Sequence, residues 1–251
     1  MALLRRQKLI IISLVFYWPT LFVLAHIPIP RLVRKAGVSD KSLHFLAYLI
    51  LIFLLWFATR SSNKVDWRRA TVWWVLLAAV SYGVFDELLQ RCVAGRSCDI
   101  MDFSANLAGV LTGLILLSFF TFWPALLVLT GTTIFGLTNL TRANLADLLP
   151  VTNALFHFFA YGLFTILWIQ NTYPSALVKG PKPKWLIPIL GPPIGFLLAV
   201  KLFSIILGKD FDIQDVIASL AGITVVIAVI LLIPLIRKRL TKTEQLSLPD
   251  A

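Results

Sequence analysis

Three side chains in this sequence suit polar chemistry at one site: His44, Glu87 and Arg96. An imidazole and a carboxylate make an acid–base pair that works near neutral pH. A guanidinium holds a phosphate or carboxylate through paired hydrogen bonds. Asp99 and Asp102 are candidates to orient Arg96 and His44, or to hold a divalent cation. Tyr48, Asp86, Gln90 and Asn106 complete the set as ligand-binding or supporting groups. Each also has a plainer reading. His44 could serve only as a hydrogen-bonding tie between helices. Asp99 and Asp102 could serve only to cap a helix, since acids favour its N-terminus. Arg96 could do no more than neutralise those acids, and Tyr48 suits packing better than proton donation.

The pattern around these residues occurs twice. His44-Phe45-x-Ala47-Tyr48 returns as His157-Phe158-x-Ala160-Tyr161. Asp99-Ile100-x-Asp102-x-x-Ala105-x-Leu107-Ala108-Gly109 returns, at the same offset, as Asp212-Ile213-x-Asp215-x-x-Ala218-x-Leu220-Ala221-Gly222. A self-match at fixed period indicates an internal repeat. Asp86, Glu87, Gln90 and Asn106 become Ala199, Val200, Phe203 and Ser219, and Arg96 becomes Lys209. A purely structural requirement would be kept in both copies. The first copy is therefore expected to carry the working site, with the second a degenerate mate. Lys201 is new to the second copy and is expected to snorkel to the interface.

Apolar helices must position these groups. The chain is 59% hydrophobic, against about 45–50% for an ordinary soluble domain. The excess lies in runs of bilayer-crossing length, roughly 20 residues each. They fall at about 9–27, 42–59, 71–90, 102–120, 122–140, 154–171, 184–207 and 216–236. The first run is too long for a signal-peptide core and is read as a retained anchor. The fold class is all-α: a polytopic membrane protein of about eight transmembrane helices, arranged as two parallel four-helix repeats. The expected units are 1–121 and 122–236, with a basic cytoplasmic tail over 237–251 that frays past about 240. Prolines 188, 192 and 193 should bend or break the seventh span. Asp99, Asp102, Asn106, Gly109 and Gly113 form one stripe on the fourth, where Gly109-x-x-x-Gly113 permits a close helix approach.

The net charge of +11 does not point to nucleic acid. With both termini cytoplasmic, fourteen of the 23 lysines and arginines fall on the inner side, as the positive-inside rule requires. They suit anionic lipid headgroups. Nine acids, including Asp40, Asp86, Glu87, Asp99 and Asp102, gather on or near the outer side. Acids do little to set topology, so the clustering implies either a site or pairing with the outer arginines. An outward-facing polar cavity bounded by spans two, three and four follows. Cys92 and Cys98 lie together in the first unit's outer loop, either as a disulfide or as two thiols. No nucleotide loop, haem motif or zinc helix is legible; no metal site is assigned, and the cofactor is unknown.

Asp40-Lys41-x-x-His44-Phe45-x-x-Tyr48, then Glu87-x-x-Gln90, then Arg96, then Asp99-x-x-Asp102-x-x-x-Asn106-x-x-Gly109 resembles the VanZ-like family. The second copy matches Asn153, His157, Phe158, Tyr161, Asp212, Asp215 and Gly222 but lacks the Glu-x-x-Gln element. The resemblance implies a small multi-helix membrane unit. It also implies a link to low-level resistance to teicoplanin, a lipoglycopeptide acting at the outer membrane face. Three functions stay open. One is binding or modification of an envelope lipid or lipid-linked amphiphile, in the plasma (inner) membrane. Another is a non-catalytic module joined to a larger membrane-protein complex. The third is a transporter.

Overall fold

The computed structural model describes residues 5–26, 40–59, 64–93, 98–139, 150–209 and 212–246. Helices account for the regular structure there, with no strand among the described residues. They are α1 (Arg5–His26), α2 (Asp40–Thr59), α3 (Ala70–Gln90), α4 (Ile100–Phe119), α5 (Phe122–Asn139), α6 (Pro150–Thr172), the single-turn α7 (Ala176–Lys179), α8 (Leu186–Ile206) and α9 (Ile213–Leu246). Eight of them are long and apolar enough to cross a membrane. Apart from the C-terminal end of α9, their bounds fall within a few residues of the eight apolar runs.

The chain divides into two compact units, Met1–Ala143 and Asn144–Ala251. The helix at 122–139, expected to open the second repeat, packs in the first unit. Its cause is local. Only Phe120 and Thr121 separate α4 from α5, and Phe122 turns into the core against Phe57 (ring centroids 5.0 Å) and Phe53 (5.6 Å).

Within the first unit α2 is the central helix. Leu51, Ile52 and Phe57 are wholly enclosed. Helices in lipid gain little from apolar transfer, so close packing and interhelical hydrogen bonds must hold them. The glycine stripe supplies the packing. A Cβ at Gly109 would overlap the Phe45 carbonyl oxygen, and one at Gly113 would overlap the Ile52 side chain. The α2 and α4 backbones therefore approach as the Gly-x-x-x-Gly spacing anticipates. Hydrogen bonds tie α1 to α2: Tyr17 Oη donates to the Ala47 carbonyl (2.8 Å) and Gln7 Nε2 to that of Ala58 (2.9 Å). At the opposite end from the candidate site, Trp67 Nε1 donates to Ser118 Oγ (2.9 Å).

In the second unit α6 packs on α9 in the same way. A Cβ at Gly222 would overlap the Phe158 carbonyl oxygen. The seventh span, α8, is not broken. Pro188 lies in its first turn, where a missing N–H is tolerated. Pro192 leaves the Pro188 carbonyl without its helical donor, and Trp168 Nε1 donates to that oxygen at 3.0 Å. A neighbouring helix thus satisfies the freed group, as a membrane interior requires. Helix α9 continues to Leu246, beyond the expected fray near 240. Lysine and arginine are good helix formers, and the basic run after Ile236 carries the helix onward.

Candidate functional site

One end of the first unit gathers polar groups from four helices. Asp40, His44 and Tyr48 recur every four residues on α2 and so share a face. Asp86, Glu87 and Gln90 occupy the last turns of α3, Asp102 and Asn106 the first turns of α4, and His26 the end of α1. His44, Asp86, Glu87, Gln90, Asp102 and Asn106 are all buried. The α4 start is fixed locally. Asp99 is its N-cap and accepts from the Met101 N–H at 2.9 Å, filling one of the orphan donors of a helix N-terminus.

His44 Nδ1 contacts Asn106 Oδ1 at 2.9 Å. With the amide so oriented, Nδ1 is the donor and Nε2 carries the lone pair. Nε2 faces Asp40 Oδ1 at 3.9 Å, and Glu87 Oε1 lies 4.0 Å from Nδ1. Glu87 Oε2 accepts the Asp99 N–H at 3.3 Å, while Oε1 has no hydrogen-bond partner. Gln90 Nε2 donates to Asp86 Oδ2 (3.3 Å), and His26 Nδ1 is 3.8 Å from Asp86 Oδ1. His26 Nδ1 also donates to the Phe22 carbonyl at 2.8 Å. Tyr48 is buried beneath the cluster and stacks on Tyr82 (5.8 Å), its hydroxyl without a partner. The Asn106 amide nitrogen is likewise unpartnered.

Among the described residues, Lys41 places a cation beside this cluster. Its Nζ is 3.0 Å from Asp99 Oδ2 and 3.2 Å from Asp102 Oδ1. The Met101 N–H first, and then Lys41, hold the Asp99 carboxyl below its ordinary range. Arg96, to which sequence reading gave the cation's role, lies outside the described residues. Lys41, Asp40 and His26 were not singled out as site residues. Asp40 was legible through its four-residue spacing from His44, and Lys41 through its place next to it. His26 had only the weak signal of an ionisable group at a span end. Cys92 and Cys98 are both exposed and unpaired.

An elongated cavity of about 300 Å³ opens beside the cluster, between α1, α2 and α5. Asp40, His44 and Asp86 line it together with apolar groups such as Leu21, Leu24, Leu43, Ile50 and Leu137. At 4.0 Å, His44 and Glu87 stand farther apart than a proton-transfer contact of about 2.6–3.2 Å.

The second unit resolves the same pattern differently. Lys201 does not snorkel outward. It is buried, with Nζ 2.6 Å from Asp215 Oδ2. His157 Nε2 is 3.3 Å from the same oxygen, and Asn153 Nδ2 donates to Oδ1. Ser219 Oγ lies 3.3 Å from His157 Nδ1, in the place Asn106 takes beside His44. The lone carboxylate at the heart of this unit has its own ammonium. The reason Lys201 turns inward is that a buried carboxylate without a counter-charge is costly. Lys209, beyond the end of α8, has its ammonium pKa lowered by burial and then by Lys201.

These features define a polytopic all-α integral membrane protein with a buried His–carboxylate cluster at one end of its first unit. The family model described as VanZ/LLP1 matches residues 9–123, the segment that contains every candidate site residue. That segment belongs to the VanZ-like family. No curated protein and no solved structure matches the chain.

Proposed function

We propose that the first unit binds an envelope lipid or lipid-linked amphiphile. The polar end of that ligand would sit at Asp40, His44 and Asp86, with Glu87 behind His44, and its apolar part would lie along α1, α2 and α5. The cavity carries this reading: apolar walls running to a buried polar end are what an amphiphile needs. In this reading the cluster opens to the outer face of the plasma membrane, with both termini cytoplasmic. The second unit is a degenerate repeat whose site has been closed by Lys201. Glycopeptide tolerance is the phenotype the family membership makes worth measuring.

The experiment is mass spectrometry of lipids retained by the purified protein, with teicoplanin susceptibility in parallel. The His44→Ala/Glu87→Ala/Arg96→Ala triple variant, expressed at wild-type level, should lose the retained amphiphile. Unchanged retention and unchanged susceptibility would end this reading.

A further inference from the structure

We propose that His44, Asp86 and Glu87 form a binding site for a divalent first-row transition-metal ion. One ligand atom from each lies within 4.8 Å of the others, and all three residues are buried. The donor set is one imidazole and two carboxylates, which suits manganese or zinc better than calcium, an ion that prefers oxygen alone. The His44 nitrogen nearest Glu87 Oε1 is Nδ1, at 4.0 Å, and the same atom meets Asn106 Oδ1 at 2.9 Å, so a metal ion on Nδ1 would replace the Asn106 contact.

Two further observations point to a ligand here. Glu87 is 3% exposed, yet Oε1 has no hydrogen-bond partner and faces the His44 ring at 4.0 Å. Glu87 has no lysine or arginine partner among the described residues, since Lys41 engages Asp99 and Asp102 instead. An ionised carboxylate held in that way at membrane depth is expensive. The second unit shows what relieves the cost. There the carboxylate count falls, and Lys201 brings a cation to within 2.6 Å of Asp215, beside His157. At the residue matching Lys201 the first unit has Leu88. Thus the second unit carries a cation against its buried carboxylate, while Glu87 Oε1 in the first unit is a buried oxygen that a bound cation would satisfy. The inference stands on the cluster alone and does not require the lipid reading.

The test is a Mn²⁺ titration of the chelator-stripped full-length protein in detergent, followed by electron paramagnetic resonance. One Mn²⁺ should bind per chain, and Zn²⁺ should displace it. Glu87→Gln and Asp86→Asn should each weaken binding at least tenfold, while Asp215→Asn should leave it unchanged. Saturating Mn²⁺ should raise the thermal midpoint of the wild type and not that of Glu87→Gln, which separates a lost ligand from a lost fold. No bound Mn²⁺ or Zn²⁺ in the wild type, or full stoichiometry in both first-unit variants, would overturn the proposal. Stoichiometric metal binding by a wild-type protein that retains no amphiphile would sink only the amphiphile reading.

Discussion

Lys201 offers the sharpest test of the electrostatic reasoning, because its partner is known and its neighbours are few. Lys201→Leu keeps helix propensity and apolar volume but removes the ammonium from Asp215. At 2.6 Å the attraction amounts to about 6 kcal/mol with an effective dielectric constant of 20. Dehydrating both charges offsets much of that. What remains measurable is the cost of stranding one buried partner, about 3–5 kcal/mol. His157 and Asn153 still contact Asp215, so the lower end of that range is expected. For a chain of this size the thermal midpoint should fall by roughly 6–12 °C, read by intrinsic fluorescence in detergent. Lys201→Leu/Asp215→Asn removes the stranded charge and should recover more than half of the loss. A drop of less than 1 °C in the single variant, or a double variant no better than the single, would refute the idea that Lys201 neutralises this site.

Gly109→Ala should destabilise the first unit by about 1–3 kcal/mol, because its Cβ meets the Phe45 carbonyl oxygen and neither backbone can give way. Gly195→Ala on α8, where a Cβ meets nothing within 4 Å, should be neutral or slightly stabilising; equal losses in paired melting curves would contradict the close-approach argument. Asp99 gives a pH signature. Its folded carboxyl titrates below the ordinary value, so its cap and its Lys41 pairing stabilise the fold above about pH 4 and are lost as pH falls through the folded pKa. Asp99→Asn should therefore lower the midpoint at neutral pH and flatten the acid limb of the curve. An acid limb identical to wild type would contradict that assignment.

Much of the fold was legible because bilayer length and backbone satisfaction leave few alternatives. Each apolar run became one helix, and the proline cluster was absorbed once Trp168 could reach the Pro188 carbonyl. The unit boundary was less legible. Repeat alignment places Phe122 in the second copy, whereas the Phe53 and Phe57 rings draw it into the first. Spacing alone brought together His44, Glu87, Asp99, Asp102 and Asn106, because helix periodicity and a shared end of the bundle were enough. It did not foresee which cation would answer the acids. Lys41 flanks the cluster in sequence, and only side-chain reach decides that it bonds Asp99 and Asp102. Nor could hydropathy tell a snorkelling Lys201 from one drawn inward by Asp215.

Buried charge accounts for how the two units differ. A lysine at 201 and uncharged residues at the positions matching Asp86, Glu87 and Asn106 fit together in a low-dielectric interior. Once Lys201 sits against Asp215 and His157, a bound cation there would be repelled. Further carboxylates are then unneeded, and Ala199, Val200 and Ser219 suffice. The first unit kept the opposite state. Its carboxylates exceed its described cation, its His44 ring is held by Asn106, and Glu87 keeps an oxygen uncommitted. Within the matched segment, residues 9–123, that buried and uncommitted Glu87 oxygen is the physical reason to seek a ligand at that end of the molecule.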